Sequence, residues 1–118
     1  METESMIFES DGRIATLTLR RPSLLNAMDY ASVCRLESML ETVRADPSVR
    51  ILIIRGEGRA FCTGIDLKEL SAGNTPDDYY AVWDRALRSL EELDAFVLCV
   101  MHGYAIGGGL QIGLASDV

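Results

Sequence analysis

The chain has 118 residues, of which 48% are hydrophobic and 25% are charged, an ordinary composition for one small globular domain. Its formal charge of −7 argues against a nucleic-acid partner, because phosphate contacts need a basic face that 11 Lys and Arg among 18 acids do not supply. The first ten residues lack the pattern of a signal peptide, and the longest apolar run, Ala95–Met101, is far shorter than the roughly 20 residues that cross a bilayer. We therefore expect a cytoplasmic protein with no membrane partner.

The first predicted element is a β-hairpin. The segments Met6–Ser10 and Arg13–Arg20 flank Asp11-Gly12, a dipeptide suited to a type I′ turn. In the second segment apolar residues alternate with threonines, which is typical of a strand.

An amphipathic helix should follow the hairpin. Arg21-Pro22 ends the second strand, and Asp29 is a residue type that caps helices. Apolar residues then recur at helical spacing until the chain reaches Pro47. These residues are Val33, Leu36, Leu40 and Val43.

Two short apolar runs, Val49–Ile54 and Phe96–Met101, are predicted to form strands buried on both faces. Between them we expect a loop over Arg55–Gly64, a flexible or lid-like stretch over Ser71–Asp78, and a second amphipathic helix. The apolar positions of that helix are Tyr80, Trp83, Leu87 and Leu90. Tyr80 and Trp83 are expected to belong to the core rather than to a substrate pocket.

The last predicted helix, Leu110–Ala115, follows His102–Ile106 and three consecutive glycines. The order hairpin, helix, strand, helix, strand, helix predicts an α/β fold with right-handed crossovers. The alternation also predicts another strand after this helix. We therefore expect the open sheet edge to be completed by a continuation of the fold or by a partner.

The glycines Gly107-Gly108-Gly109 lie between a predicted strand and a helix, a geometry that presents backbone N–H groups to an anion. A dinucleotide-binding fingerprint fails because Ile112 stands where its third glycine should be, and a phosphate-binding Walker loop lacks its lysine. There is also no G-x-S-x-G serine elbow. An oxyanion-binding turn remains, and the alternative is that the glycines only permit a tight turn and close helix packing.

A second loop favours the ligand-binding interpretation. Residues Gly56–Asp66 follow the other buried strand, so both loops should leave the same edge of the sheet. Ligand crevices in α/β folds lie at that edge. Two loops could then each supply one hydrogen-bond donor to a single oxygen.

These motifs closely resemble the enoyl-CoA hydratase/isomerase (crotonase) family over essentially the whole chain. The matching segments are Arg59–Glu69, His102–Gly109 and Ala115–Asp117, together with Arg21-Pro22 and Asn26-Ala27. The resemblance implies a crotonase-like α/β fold of the ClpP/crotonase type, a spiral of ββα units. Residues 1–118 would be the amino-terminal part of one such domain, incomplete in this chain. It also implies assembly as homo-trimers or hexamers.

The resemblance assigns roles to particular residues. It implies that the backbone amides of Ile65 and Gly108 form an oxyanion hole that polarises the thioester carbonyl of an acyl-CoA substrate. Coenzyme A would be carried as part of the substrate, with no separate cofactor and no metal. The residues implied to line the path of the coenzyme A and pantetheine are Ser23, Leu24, Ala27, Thr63, Gly64, Ile65, Asp66, Leu67, Ile106 and Gly108.

Gln111 departs from the pattern of the family, whose hydratases place a glutamate at this position. Glutamine can orient water or bond a thioester, but it cannot take up a proton at neutral pH, which argues against hydration by two glutamates. A single-base mechanism, as in isomerases of the family, stays compatible if an acid lies further along the chain. The alternative is that Gln111 is a polar helix residue facing solvent.

The two other polar residues near these motifs have structural explanations. His102 is expected to be packed or bonded to a loop rather than to act as a base, and Asp66 to cap the helix that follows it. No Ser-His-Asp set is evident, which argues against a peptidase of related fold. Cys34, Cys62 and Cys99 lack CxxC spacing and are expected to be reduced thiols.

The predicted function is therefore that of an acyl-CoA thioester enzyme that stabilises an enolate. It would hydrate an enoyl-CoA or isomerise its double bond. The alternative is a catalytically silent, truncated subunit that binds acyl-CoA or a partner.

Overall fold

The computed structural model describes residues 5–118. Its strands are β1 (Met6–Ser10), β2 (Ile14–Leu19), β3 (Ile51–Gly56), β4 (Ala60–Cys62), β5 (Phe96–Cys99) and β6 (Tyr104–Ala105). Its α-helices are α1 (Tyr30–Arg44), α2 (Leu67–Ser71), α3 (Tyr79–Glu91) and α4 (Gly108–Ala115), and a 3₁₀ turn covers Pro22–Leu24. The predicted alternation of strands and helices is confirmed.

The main sheet has the strand order β1-β2-β3-β5. Strands β1 and β2 form the predicted antiparallel hairpin, whereas β2, β3 and β5 run parallel to one another. Leu52 on β3 pairs with Ala15 on one side and with Val97 on the other. The carboxyl ends of β3 and β5 therefore open toward the same edge of the sheet, as the sequence predicts.

The hairpin turn differs from the predicted type. The Asp11 N–H donates to the Ile14 carbonyl (3.1 Å), so the central residues of the turn are Gly12 and Arg13. Gly12 has φ +100°, but Arg13 does not have a positive φ. A type I′ turn needs positive φ at both central residues, so that prediction was wrong, and a glycine at the first central position is the requirement of a type II′ turn.

Helices α1 and α3 cover one face of the main sheet, and the core lies between these layers. The fully buried residues of this core include Leu17, Leu52, Ile54 and Val97 from the sheet and Leu36, Leu40, Val82 and Ala86 from the helices. Burial on both faces of β3 was predicted, but Ile51 and Ile53 on the opposite face are only half-buried in this chain. The Asp29 side chain caps α1 by accepting the Ser32 N–H (2.9 Å), as predicted.

Strands β4 and β6 form a second, two-stranded parallel sheet that the sequence did not predict. Strand β4 lies in the segment expected to be a loop, and β6 lies in the segment His102–Ile106, to which no element was assigned. Each strand is too short for its residue pattern to show alternation. The Phe61 N–H donates to the His102 carbonyl (2.9 Å), and the Ile106 N–H donates to the Cys62 carbonyl (3.0 Å). The chain thus twice runs long strand, short strand, helix, which is the predicted ββα unit.

After α4 the chain returns to the main sheet. The Asp117 and Val118 N–H groups donate to the Val97 carbonyl (3.0 and 3.2 Å), and the Cys99 N–H donates to the Val118 carbonyl (2.8 Å). This is the hydrogen-bond pattern of a parallel ladder beside β5. A strand was predicted after the last helix, and these bonds place residues 117–118 beside β5, but the structure assigns no strand to them. Within residues 5–118 no helix is both long enough and apolar enough to cross a membrane.

Candidate active site

The loops that follow β4 and β6 touch each other at Gly64. A Cβ atom added to this glycine would lie 3.0 Å from the Gly108 nitrogen and 3.0 Å from the Ile106 carbonyl oxygen. Gly64 also has φ +87°, which side-chain-bearing residues rarely adopt. Only glycine therefore allows the backbones of the two predicted ligand loops to come this close.

The Ile65 amide is turned away from the strand-like segment that holds it. Ile65 forms an isolated parallel bridge with Met28, in which the Met28 N–H donates to the Gly64 carbonyl (2.7 Å) and the Asp66 N–H donates to the Met28 carbonyl (3.1 Å). In a parallel bridge the hydrogen bonds are made by the residues before and after the bridged one, here Gly64 and Asp66. The N–H of Ile65 itself therefore points away from Met28. It donates no hydrogen bond to any group within residues 5–118.

The Gly108 amide is the first of helix α4. The Gly109 N–H donates to the Ile106 carbonyl (2.9 Å) and the Gln111 N–H donates to the Gly107 carbonyl (3.0 Å), so those two amides are satisfied. In the described part of the chain the Gly108 N–H has no acceptor. It therefore offers a donor at the positive end of the helix dipole.

Both residues line one cleft with a volume of about 430 Å³. Ligand sites typically have volumes of about 300–1,000 Å³. The lining residues are Thr63, Ile65, Leu67, Tyr80, Trp83, Asp84, Ile106, Gly107, Gly108 and Gln111. The walls are mostly apolar, with few polar side chains beside the two amides.

The glycines of α4 also have the packing role that the sequence left as an alternative. A Cβ atom on Gly108 would overlap the Trp83 ring, and one on Gly109 would overlap the Cys62 carbonyl. Gly107, with φ +54°, has no such neighbour and serves the turn instead. Close packing and an available amide therefore coexist in the same three residues.

Six of the sequence-predicted site residues lie on this cleft. They are Thr63, Ile65, Leu67, Ile106, Gly108 and Gln111. Ser23 and Leu24 lie instead on the exposed 3₁₀ turn, and Ala27 lies just after it. The Thr63 hydroxyl donates to the Leu25 carbonyl (3.2 Å), which places that segment beside the cleft without lining it.

The Asp66 carboxylate faces away from the cleft. As predicted it caps α2, because its Oδ1 accepts the N–H groups of Lys68 (3.0 Å) and Glu69 (3.2 Å). Its Oδ2 accepts a hydrogen bond from Arg21 (3.1 Å). Burial alone would raise the pKa of Asp66, but the hydrogen bonds from Glu69, Arg21 and Lys68 together outweigh burial and lower it. This carboxylate holds the loop in place.

Asn26 has a role that the sequence did not indicate. It is buried, and its Oδ1 accepts the Arg21 N–H (2.7 Å). Its Nδ2 lies 2.9 Å from the carbonyl oxygens of Glu57 and Ala60 and 3.1 Å from that of Phe61. Asn26 was noted only as part of a motif, because partners more than 30 positions away cannot be read from spacing.

Helix α3 forms part of the cleft wall, although the sequence favoured core positions for its Tyr80 and Trp83. Tyr80 is 58% exposed, so its assignment to the core was wrong, whereas Trp83 is 5% exposed and belongs to the core as well as to the cleft wall. Asp84 also lines the cleft and was not singled out. The signal available was its position one turn after Tyr80 on the same helix face.

His102 is bonded to a loop, as predicted, since its Nε2 lies 2.6 Å from the Gly58 carbonyl oxygen. The three cysteines are free. Burial raises the pKa of the Cys62 thiol to about 11, which disfavours a nucleophilic role near the cleft. Among residues 5–118 no group of three or more His, Cys, Asp or Glu side chains is arranged to hold a metal ion.

The fold and the cleft define an α/β protein with a cleft of ligand-binding size, at which two loops present backbone N–H groups. The chain belongs to the enoyl-CoA hydratase/isomerase family, whose family model matches residues 9–118.

Named relatives agree with this assignment. A short-chain-enoyl-CoA hydratase of Clostridium acetobutylicum is 29% identical over 121 residues, a match that covers 100% of this chain and 46% of the relative. A carnitinyl-CoA dehydratase of Proteus mirabilis is 36% identical over 98% of this chain and 45% of its own length. The chain thus spans about half the length of these relatives.

The fold agrees as well. A crystal structure of an enoyl-CoA hydratase from Mycobacterium avium subsp. paratuberculosis matches with a TM-score of 0.88 at 26% identity. The match covers 100% of this chain and 47% of that chain. The predicted crotonase-like fold, present here over about half of such a chain, is therefore confirmed.

Proposed function

We propose that the protein binds an acyl-CoA thioester with its carbonyl oxygen between the N–H groups of Ile65 and Gly108. These donors would stabilise an enolate during hydration of an enoyl-CoA or isomerisation of its double bond. The observation that carries the proposal is that both amides, on touching loops at one cleft, lack acceptors within residues 5–118.

The chemistry follows from where negative charge develops. When a proton leaves the carbon next to the thioester, charge moves to the carbonyl oxygen, and two fixed N–H donors stabilise it. Loss of one such donor typically costs about 2.7–4 kcal/mol of transition-state stabilisation. The apolar cleft walls strengthen the interaction because they lower the local dielectric constant.

Gln111 bears on which reaction is favoured. It lines the cleft, where its amide can orient a water molecule or bond the substrate, but it cannot accept a proton. We therefore favour proton transfer by a single carboxylate over two-glutamate hydration. The pantetheine arm would run past Thr63 toward Ser23, Leu24 and Ala27, and coenzyme A would be part of the substrate rather than a separate cofactor.

A matched pair of variants tests the role of the Gly108 amide. Gly108→Pro and Gly108→Ala both place a Cβ against Trp83, but only proline removes the N–H. Proline is tolerated at the first position of a helix. The readout is the absorption band of bound cinnamoyl-CoA, which moves to longer wavelength when its carbonyl is polarised.

We expect the wild-type protein to shift the band fully, Gly108→Ala to keep more of the shift than Gly108→Pro despite the contact of its Cβ with Trp83, and Gly108→Pro to lose most of the shift while it still binds the thioester. Circular dichroism would establish that all three proteins are folded. An unchanged shift in Gly108→Pro, or no shift in the wild-type protein, would overturn the proposal.

A second candidate function is acyl-CoA binding without turnover, which Gln111 favours because it removes a titrating group from the cleft. Turnover assays of the purified protein with crotonyl-CoA and with a 3-enoyl-CoA separate the two functions. Measurable turnover of either substrate refutes the silent alternative. Binding with a carbonyl shift but no turnover supports it.

We further propose that the protein acts in the cytoplasm as a homo-trimer or hexamer. Leu110 and Leu114 on α4 are 45% and 74% exposed, an apolar surface that a neighbouring subunit could cover. Light scattering coupled to size-exclusion chromatography measures the mass directly, and a monomer at micromolar concentration would contradict this assembly.

A further inference from the structure

Helix α3 brings a carboxylate to the cleft that contains the two free amides. Tyr80, Trp83 and Asp84 are spaced three and four residues apart, so they share one face of the helix. All three line the cleft together with Gly108 and Gln111. Among the cleft-lining residues in the described part of the chain, Asp84 is the only one with a carboxylate.

The Asp84 carboxylate is not engaged elsewhere in the described chain. Within residues 5–118 no salt bridge and no hydrogen bond joins it to another side chain or to the backbone. The neighbouring cation, Arg85, is occupied by Glu37, with Nε 2.7 Å from the carboxylate oxygen. Asp84 therefore differs from Asp66 and Asp29, whose side chains cap helices.

The position of Asp84 is tied to the oxyanion donors through Trp83. The Trp83 ring packs directly against Gly108, with no room for a Cβ atom between them. Trp83 is 5% exposed, so this contact is fixed by the core. The backbone of the adjacent residue, Asp84, is consequently held near Gly108, and its exposed side chain lines the cleft.

We propose that Asp84 is the proton acceptor of this cleft, a catalytic role that rests on the proposed thioester function. Its carboxylate takes the proton from the carbon next to the thioester carbonyl. The electron pair of the broken C–H bond forms the enolate double bond, and the charge moves to the oxygen held by Ile65 and Gly108. The resulting carboxylic acid then returns the proton to that carbon or to the one two positions further along the acyl chain.

This assignment accounts for the glutamine at position 111. An amide cannot accept the proton, whereas a carboxylate one helix away, facing the same cleft, can. Gln111 would then bond the substrate while Asp84 moves the proton.

The test uses Asp84→Asn, which keeps the shape of the side chain and removes the proton acceptor. Glu91→Gln is the matched control, because it removes the same charge from the same helix at an exposed position outside the cleft. The first readout is exchange of the α-proton of butyryl-CoA with D₂O, measured by mass spectrometry. The second is the absorption shift of bound cinnamoyl-CoA.

We expect Asp84→Asn to slow exchange by about 100-fold or more, in the range typical for loss of a general base, and to leave the absorption shift intact. Glu91→Gln should change neither. Wild-type exchange in Asp84→Asn, or a wild-type protein that shifts the band without exchanging the proton, would overturn the assignment of Asp84 alone. A wild-type protein without the shift would overturn the thioester function, and the role of Asp84 with it.

Discussion

The guanidinium of Arg21 lies 3.1 Å from the Asp66 carboxylate, and this contact joins the segment after β2 to the residue that follows Ile65. The same guanidinium donates to the Ala27 carbonyl (2.5 Å). The Asp66 N–H donates to the Met28 carbonyl, and the Met28 N–H donates to the Gly64 carbonyl. The residues before and after Ile65 are therefore both held, which fixes the orientation of its peptide. Arg21 is thus a positioning residue for one of the two cleft amides.

Replacing Arg21 should therefore destabilise the protein. We expect Arg21→Met to lower the free energy of unfolding by about 2 kcal/mol, since a hydrogen bond to a charged group contributes about 1.5–3 kcal/mol. The free energy of unfolding of Arg21→Lys should lie between those of the wild type and Arg21→Met, because lysine keeps the charge but lacks the planar guanidinium group. Urea denaturation followed by circular dichroism measures both.

The control for Arg21 is Arg85→Met, which breaks a similar contact with Glu37 on an exposed surface. Exposed ion pairs contribute about 0–1 kcal/mol. Equal losses in Arg21→Met and Arg85→Met would contradict a special role for Arg21.

Asp66 should give the protein a specific dependence on acid. Because the pKa of Asp66 is lowered in the folded state, its ionised form stabilises the fold above the unfolded-state pKa of about 3.9. That stabilisation is lost as the pH falls through the lower, folded-state pKa. Asp66→Asn should be less stable than wild type at pH 7, and the difference should shrink below about pH 4. The midpoints of urea denaturation of both proteins, measured from pH 7 to below pH 4, give this stability difference. A difference that stays constant at every pH would contradict the role of the ionised Asp66.

Two glycines of α4 should differ in how well they tolerate replacement by alanine. In Gly109→Ala the new methyl meets the Cys62 carbonyl, a backbone group that cannot move aside, so we expect a loss of about 1–3 kcal/mol. In Gly113→Ala the methyl would lie 2.7 Å from the Met101 sulfur, on a flexible side chain. The gain of about 0.5–1 kcal/mol from replacing a helical glycine should leave Gly113→Ala near neutral.

Thermal unfolding of the two glycine variants provides the measurement. Both replacements lie inside the same helix, so helix propensity cancels in the comparison. Similar melting temperatures for Gly109→Ala and Gly113→Ala would show that α4 does not need close contact with β4.

Cys62, which is buried, and Cys99, which is half-buried, should react slowly with alkylating reagents. Burial raises the pKa of both the Cys62 and the Cys99 thiol to about 11. Compared with an ordinary thiol of pKa about 8.5, the fraction present as reactive thiolate at pH 8 is reduced by roughly 200-fold. Iodoacetamide labelling followed by peptide mass spectrometry, with the urea-unfolded protein as control, measures the rates. Labelling of native Cys62 at the unfolded rate would refute this.

The elements predicted well from sequence are those whose signals are local. The hairpin needed only a turn dipeptide between two short strands, and α1 needed only Asp29 and a helical apolar spacing. The cap formed by Asp66 was readable for the same reason, because its acceptor and donors lie within three residues. The paired ligand loops could be placed together because parallel strands leave the same sheet edge.

The features missed depend on contacts between distant residues. Strand β4 has three residues and exists only because it pairs with β6, more than 40 positions later. Tyr80 sits at a helical apolar position, but the neighbouring wall is a cleft rather than a packed core. Asn26 and Asp84 likewise owe their roles to groups brought near by the fold.

The contact between Trp83 and Gly108 couples the width of the cleft to the position of a backbone donor. One indole ring both limits the space in the cleft and supports the backbone of a donor amide. A smaller side chain at position 83 would widen the cleft and, at the same time, leave that amide unsupported. The cleft can therefore be widened at this wall only with a compensating change behind α4.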